Sequence, residues 1–168
     1  KIYKLPSTCL NNEEMLKYLS KINKQIIIAA GGATFEEINY AFKKLKKDKK
    51  NIIIMAGFQN FPTKIEDTNL NKIPLIKETF KTRMGYADHI DSNQNLYPFS
   101  IPLMAYTLGA DIIEKHITLN RKEKGTDLFV DSMIRVLPNM KDLTALIIGK
   151  AGDKDKSFLE NLKSKVNT

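Results

Sequence analysis

The chain contains two histidines, and each comes at the end of an apolar run that predicts a buried strand. His89 follows the run 83–87, and His116 ends the motif Glu-Lys-His within the run 111–117. Neighbouring parallel strands lie about 4.8 Å apart, so the two imidazoles can bind one divalent cation and leave positions open for water and substrate. The alternative is that each histidine is an ordinary hydrogen-bonded packing residue. Two imidazoles alone do not distinguish Mn²⁺, Mg²⁺, Co²⁺ and Zn²⁺.

Other polar residues follow the remaining apolar runs. Lys4 and Ser7 flank the end of the first run, where an ammonium and a hydroxyl can bind a phosphate or a carboxylate, although most lysines are simply solvated. Gly31 and Gly32 precede a predicted helix and can form an anion-binding nest, and a tight turn explains them equally well. Their spacing is not that of a dinucleotide fingerprint or a P-loop, so the pattern supports neither NAD nor ATP. Cys9 has no histidine near it in sequence and is interpreted as a structural thiol.

Short apolar runs alternate along the chain with longer amphipathic stretches, which is typical of repeated βα units. The apolar runs predict five strands, at residues 2–6, 25–30, 51–57, 83–87 and 111–117. Helices are predicted at residues 13–22, 35–47, 75–80, 98–108 and 137–148, followed by a loop at 149–156 and a last amphipathic helix at 157–166. Glu37 stands three residues after Thr34, a spacing that predicts a capping box at the start of the second helix.

Parallel βα repetition restricts the architecture to an open doubly wound sheet or a barrel. A complete (β/α)₈ barrel takes roughly 200 to 250 residues in eight units. The chain has 168 residues, and its pattern predicts five units. It begins at Lys1, without an initiator Met or a leader, inside a predicted strand. We therefore expect either a small open α/β sheet or part of a barrel whose first three units were removed by processing or truncation.

Composition and charge narrow the classes of function. The formal net charge is +8, but lysine outnumbers arginine 24 to 3 and there is no Trp, which argues against a nucleic-acid-binding surface. The densest lysine cluster, at 43–50, lies where a helix is predicted to end and complements the helix dipole. No apolar run approaches the ~18 residues that a membrane span needs. Cys9 is the only cysteine, so no internal disulfide can form, which fits a cytoplasmic location.

Five short motifs occur in order along the chain and carry a resemblance to a known family. They are KLPS at 4–7, IAAGGAT at 28–34, FQNFPT at 58–63, GYADH at 85–89 and IEKHITL at 113–119. Together, over about residues 1–146, they resemble the sialic acid synthase family, the phosphoenolpyruvate-condensing enzymes that make N-acetylneuraminate and related nonulosonic acids. The resemblance implies an α/β fold that is a partial TIM (β/α)₈ barrel, roughly strands 4–8 with their helices. Residues 1–148 would form the barrel segment, and 149–168 a C-terminal loop and helix.

The resemblance also implies a set of site residues. His89 and His116 would hold a divalent metal, usually Mn²⁺, which would act as a Lewis acid on an open-chain aldehyde. Lys4 and Ser7 would contact the phosphate of phosphoenolpyruvate, and Gln59, with Asn60 as the adjacent candidate, its carboxylate. Glu114 and Asp127 would hold an N-acylated sugar as the acceptor. Phe61 stands at the substrate-side Tyr position of the family.

Some positions depart from the family pattern and keep other functions open. Ala29 and Ala30 replace a Ser-Thr pair, Ala87 replaces a Ser, and Cys9 stands where a sugar-binding Glu is expected. The alternatives are a non-catalytic sugar-phosphate-binding or interaction module, and another phosphoenolpyruvate-dependent aldolase-type barrel. The family's catalytic Glu and a second substrate-binding Lys come from the first barrel strands, and its antifreeze-like domain follows the barrel. We expect the isolated segment to be inactive.

An incomplete barrel would expose apolar strand faces and sheet edges, so we expect it to acquire partner strands or to associate as a homo-oligomer. Its midpoint of thermal unfolding should then rise with protein concentration. Calorimetric scans at several concentrations test this expectation. A cooperative, concentration-independent transition of a monomer would contradict it.

Overall fold

The computed structural model describes residues 2–91, 96–116, 134, 135, 144–148 and 160. These residues form a parallel sheet of six strands: β1 Ile2–Leu5, β2 Gln25–Ala29, β3 Ile52–Gly57, β4 Arg83–Asp88, β5 Ile112–His116 and β6 Thr144–Ile148. Four α-helices connect the first five strands: α1 Glu13–Lys21, α2 Phe35–Leu45, α3 Lys72–Phe80 and α4 Tyr97–Thr107. Single-turn 3₁₀ helices lie at Ser7–Cys9, Lys49–Asn51 and Ile65–Asp67. The five predicted strands are therefore confirmed.

Strand order distinguishes between the two predicted architectures. Each strand pairs in parallel with the next one along the chain, from β1 to β6. A doubly wound sheet reverses this order at a switch point, and the described sheet does not. In a flat sheet β1 and β5 would be about 19 Å apart, yet the side chains of Lys4 on β1 and Glu114 on β5 form an ion pair. The sheet is therefore curled, and the fold is a partial TIM barrel, as predicted.

One predicted helix is wrong over the part of it that the structure describes. The spacing of apolar residues predicts a helix at 137–148, but Thr144–Ile148 form strand β6, paired with β5. Residues 137–143 lie outside the described residues. A short apolar run does not distinguish a buried strand from a buried helix, and here pairing with the open edge of β5 decides the conformation. The predicted C-terminal loop and helix at 149–168 lie outside the described residues, except for Glu160. The division at residue 148 stays a prediction.

The two faces of the sheet bury different sets of side chains, as expected for strands covered on both sides. The outer face packs against the helices, with Ile28, Ile54 and Met84 among the buried residues of the larger core. The inner face forms a smaller core of Ile27, Ile53, Met55 and Ile112. Because side chains alternate along a strand, consecutive residues of one apolar run serve both cores.

Small residues replace the large apolar side chains towards the carboxyl ends of the inner face. Ala29, Gly57 and Ala87 occupy these positions on β2, β3 and β4. A Cβ atom on Gly57 would lie 2.8 Å from the carbonyl oxygen of Ala87, so a larger residue would displace the neighbouring backbone. The small residues leave space at this end of the barrel interior. Among the described residues, no helix is long and apolar enough to span a membrane.

The predicted capping box at the start of α2 is confirmed. The Thr34 hydroxyl accepts a hydrogen bond from the Glu37 backbone N–H at 3.2 Å, and the Glu37 carboxylate accepts one from the Thr34 N–H at 2.8 Å. This backbone contact is the main cause that lowers the pKa of Glu37 below its ordinary value. Both contacts satisfy N–H groups that would otherwise have no partner within the helix.

Removal of this cap gives a direct test of the local structure. We expect Thr34→Ala to lower the free energy of unfolding by about 1 kcal/mol, because the N-terminal turn loses its side-chain acceptor. Urea unfolding measures the change, and Thr34→Ser, which keeps a hydroxyl, is the control. Equal stability of the Ala and Ser variants would contradict this account of the helix start.

Candidate active site

A cavity of about 300 Å³ opens at the carboxyl ends of the strands, on the inner face. This is where parallel barrels bind their ligands, because the βα loops meet there. The predicted site residues that line it come from β1, β5, the end of β4 and the loop after β3, and they are Lys4, Gln59, Asn60, Phe61, His89, Glu114 and His116. Ala29, Gly57 and Ala87 form part of its wall.

The two histidines meet at this edge. The centroids of the His89 and His116 rings are 4.8 Å apart, and the rings are nearly perpendicular, at 85°. Glu114 adds a carboxylate, and one ligand atom from each of the three side chains lies within 4.8 Å of the others. Two imidazoles and a carboxylate at this spacing can converge on one divalent cation.

A backbone contact orients His89 for such a role. Its Nδ1 lies 2.9 Å from the carbonyl oxygen of Phe58. Because a carbonyl oxygen only accepts, Nδ1 carries the proton, and the lone pair of the neutral imidazole is on Nε2. A hydrogen bond from the second ring nitrogen is the usual way in which a metal-binding histidine is held in one tautomer.

Glu114 is the most deeply buried member of the cluster, with 3% of its side chain exposed. Its Oε1 accepts a hydrogen bond from the Lys4 ammonium, whereas its Oε2 is buried and has no hydrogen-bond partner among the described residues. A buried carboxylate oxygen without a partner is unfavourable unless a cation or a donor satisfies it. The donor set of Glu114 and the two imidazoles therefore fits a divalent cation.

Phe61 lies over both imidazoles. Its ring stacks on His116, with centroids 5.6 Å apart and planes at 25°, and it meets the edge of His89 at 6.1 Å. Hydrogen bonds on either side of Phe61 hold the loop that carries it. The Asn60 side chain accepts from the Phe61 N–H at 3.0 Å, and the Thr63 N–H donates to the His89 carbonyl oxygen at 2.7 Å. Phe61 is half exposed, so it forms the solvent side of the site.

Of the remaining predicted residues, some line the cavity and others do not. Gln59 and Asn60 line the cavity from the loop after β3 and are exposed to solvent. Ser7 begins the 3₁₀ helix after β1 and is not among the described residues that line the cavity. Asp127 lies outside the described residues. Cys9 is half-buried in the same 3₁₀ helix, with its sulfur 3.9 Å from the Thr8 hydroxyl.

The sequence interpretation gave no role to Asp88 and Lys115, which form an ion pair on the outer face of the sheet. Their side chains are 0% and 5% exposed, and the two residues are register partners on β4 and β5. Burial, and next the charge of Asp88, raises the pKa of Tyr86 on the same strand face. Strand alternation was the available signal, because Asp88 and Lys115 each directly precede a histidine and so face the other side of the sheet.

Polar side chains grouped at the carboxyl ends of parallel barrel strands are typical of TIM-barrel enzymes. Comparison with known proteins identifies which of them: the chain belongs to the NeuB family, whose model matches residues 1–156. The sequence-based family prediction is confirmed.

Individual relatives agree with this assignment. The chain is 35% identical over 130 residues to N,N'-diacetyllegionaminic acid synthase of Campylobacter jejuni, which is 76% of the chain and 37% of that relative. It is 34% identical over 127 residues to pseudaminic acid synthase of the same organism, of which it covers 35%. The chain thus spans little more than a third of the length of these relatives.

Solved structures show the same fold. N-acetylneuraminic acid synthetase from Leptospira borgpetersenii, in complex with citrate, superposes with a TM-score of 0.65 over 97% of the chain and 57% of its own, at 25% identity. A spore coat polysaccharide biosynthesis protein E from Chromobacterium violaceum gives a TM-score of 0.68 at 18% identity and supports the fold alone.

The ion pair between Lys4 and Glu114 can be tested through stability. We expect Lys4→Met to lower the free energy of unfolding by about 1 to 3 kcal/mol, because it leaves the buried Glu114 carboxylate without its partner. Adding Glu114→Gln should recover part of this loss, since the unpaired charge is then gone. Urea unfolding measures both changes.

The matched control is Lys50→Met, which breaks an ion pair with Asp48 whose side chains are 77% and 57% exposed. It should change stability by less than about 1 kcal/mol. A double variant no more stable than Lys4→Met would show that the Glu114 charge is not what makes the single change unfavourable.

Proposed function

We propose that this chain is part of a nonulosonic acid synthase, which condenses phosphoenolpyruvate with an N-acylated aldose to give a sialic-type acid. The observation that carries the proposal is the convergence of His89, Glu114 and His116 on one cavity that Lys4 and two amide side chains also line. Relatives named as legionaminic and pseudaminic acid synthases support the same reaction class.

His89 and His116, with Glu114 within reach, are the residues that would hold a divalent metal, which we propose to be Mn²⁺. When bound, the metal supplies Lewis-acid polarisation of the acceptor's aldehyde oxygen. His89 contributes a fixed tautomer, because its Nδ1–H donates to the Phe58 carbonyl. Phe61 covers one side of the imidazoles, stacked on His116 and edge-on to His89.

Phosphoenolpyruvate is trianionic when fully ionised, so its site must supply positive charge and hydrogen-bond donors. We assign its phosphate to Lys4 and Ser7, and its carboxylate to the amides of Gln59 and Asn60. The Lys4 ammonium has three N–H donors, so it can keep its contact with Glu114 while it donates to a phosphate oxygen. In this arrangement Lys4 couples the donor substrate to the cation-binding cluster.

Glu114 and Asp127 are the carboxylates assigned to the sugar acceptor. The new carbon–carbon bond forms between C3 of the enol phosphate and the aldehyde carbon, whose oxygen becomes a hydroxyl. Water then adds at C2 and phosphate leaves, which generates the keto group of the product. In this proposal the charged and amide groups of the cavity bind the phosphate and carboxylate groups.

The complete barrel is needed for this activity in our proposal. The ends of the described sheet are β1 and β6, and Ile2 and Tyr3 on β1 are 49% and 41% exposed. Unpaired strands of this kind bind further strands. We propose that such strands, from the rest of a longer chain or from a second copy, close the barrel over the cavity.

The metal assignment predicts the effect of removing either imidazole. In the complete barrel, assembled with the further strands proposed above, His89→Ala and His116→Ala should each abolish the metal-dependent release of phosphate from phosphoenolpyruvate. Phosphate release is measured with and without added Mn²⁺. Tyr18→Ala, which removes an aromatic ring that is 67% exposed on α1, is the control and should keep wild-type turnover. Turnover retained in both histidine variants would refute the metal assignment.

A second candidate is a sugar-phosphate-binding module without turnover. Ala29 and Ala87 line the cavity with methyl groups, so at these positions no hydroxyl is available for a phosphate. A panel of N-acylated and unmodified aldoses discriminates between the candidates. Phosphate release only with N-acylated aldoses supports the synthase, release with other aldoses supports another aldolase-type barrel, and binding without release supports the module.

A further inference from the structure

A buried ion pair lies directly behind the imidazole cluster. Asp88 immediately precedes His89, and Lys115 immediately precedes His116, so each charged residue shares a peptide bond with one of the two histidines. Asp88 and Lys115 are register partners across β4 and β5, and their side chains meet on the outer face of the sheet. The pair therefore joins the two strand ends that present the imidazoles.

Stability alone is a poor explanation for this pair. Both side chains are almost wholly removed from water, and transferring two ions into a protein interior opposes folding. Apolar side chains of similar volume often stabilise such a position equally well or better. A buried pair of this kind is better explained if it fixes the relative position of neighbouring groups. The nearest such groups are the two histidines.

Hydrogen bonds extend from the pair to the loop that covers the site. One carboxylate oxygen of Asp88 contacts Lys115, and the other accepts from the Ile90 N–H at 3.1 Å. Ile90 forms a parallel bridge with Thr63, whose N–H donates to the His89 carbonyl oxygen at 2.7 Å. The same loop supplies the Phe58 carbonyl that holds the His89 ring. Asp88 thus connects β5, the end of β4 and the β3 loop.

We propose that Asp88 and Lys115 are positioning residues, which fix His89 and His116 at the separation and in the tautomer that cation binding requires. The proposal rests on the cation-binding role given above to the imidazoles. It adds that the outer, helix-facing side of the sheet controls the affinity of a site on the inner side. Neither residue touches the cavity, so their effect must pass through the backbone.

The chain offers a matched control at the other end of the same two strands. Asp111 precedes β5, and its carboxylate accepts from the Met84 N–H of β4 at 3.0 Å and lies 3.5 Å from the Lys77 ammonium. Asp111 and Asp88 therefore each join β4 to β5 through a carboxylate that also pairs with a lysine. The lysine is Lys77 of α3 for Asp111 and Lys115 of β5 for Asp88. Only Asp88 joins the two strands next to the histidines.

The experiment compares Asp88→Asn, Lys115→Met, their double variant and Asp111→Asn in the full chain. Asp88→Asn keeps a side-chain oxygen that can accept from the Ile90 N–H. A single variant leaves one buried charge without its partner and can fail to fold. The double variant removes both charges, so it avoids this problem. Titration calorimetry measures Mn²⁺ affinity. In the metal-free protein, nitrogen–proton NMR of the imidazoles at about pH 8, where a model imidazole is neutral, reports the His89 tautomer.

We expect the double variant to bind Mn²⁺ about tenfold more weakly than the wild type and to lose the single Nδ1–H tautomer of His89. Asp111→Asn should lose stability but keep both the affinity and the tautomer. Wild-type affinity and a single tautomer in the folded double variant would overturn the proposal. So would an equal loss of affinity and tautomer in Asp111→Asn, because the effect would then be one of general stability.

Failure of the proposed function would give a different result from failure of the positioning role. If the wild type binds no divalent cation, the cation-binding role is wrong, and the tautomer measurement alone decides the positioning role. Loss of the tautomer in the double variant, with retention in Asp111→Asn, would still support the influence of Asp88 and Lys115 on His89. A tautomer unchanged in every variant would refute it.

Discussion

Parallel pairing between β4 and β5 is the constraint on which the site depends. The register sets Ala87 opposite Glu114 and Asp88 opposite Lys115, so the residues that follow bring two imidazoles to one edge on the inner face. A shift of one residue in either strand would turn its side chains to the opposite face. Lys115 would then enter the cavity and His116 would face the helices.

This register buries charged side chains in an apolar interior, and ion pairs compensate their charges. Glu114 and Lys115 are consecutive residues of β5 with opposite charges, and they face opposite sides of the sheet. Each meets an oppositely charged partner from another strand, Lys4 on the inner face and Asp88 on the outer. Because Lys4 comes from β1, four strands away in the sheet, the inner pair exists only in a curled sheet. The curvature of the barrel and the electrostatics of the cavity are therefore linked.

Much of the fold follows from local pattern. Buried parallel strands show as short apolar runs, which predict five of the six described strands, and a three-residue spacing predicts the Thr34 cap. The strand at 144–148 was missed because five apolar or small residues suit a helix as well as a strand, and only the neighbouring edge of β5 decides between them. The same limit applies to Asp88 and Lys115, whose partnership depends on pairing between segments far apart in sequence.

For the first five strands, the sequence by itself determined which residues stand at strand ends, and so which side chains were candidates for chemistry, because the boundaries of these strands are encoded by nearby residues. Tertiary structure decided what those side chains meet. Contacts between distant segments decide three features: the pairing of Lys4 with Glu114, the Glu114 oxygen that has no hydrogen-bond partner among the described residues, and the ring of Phe61 over the histidines. Such contacts are fixed by register, sheet curvature and loop closure, which no local spacing specifies.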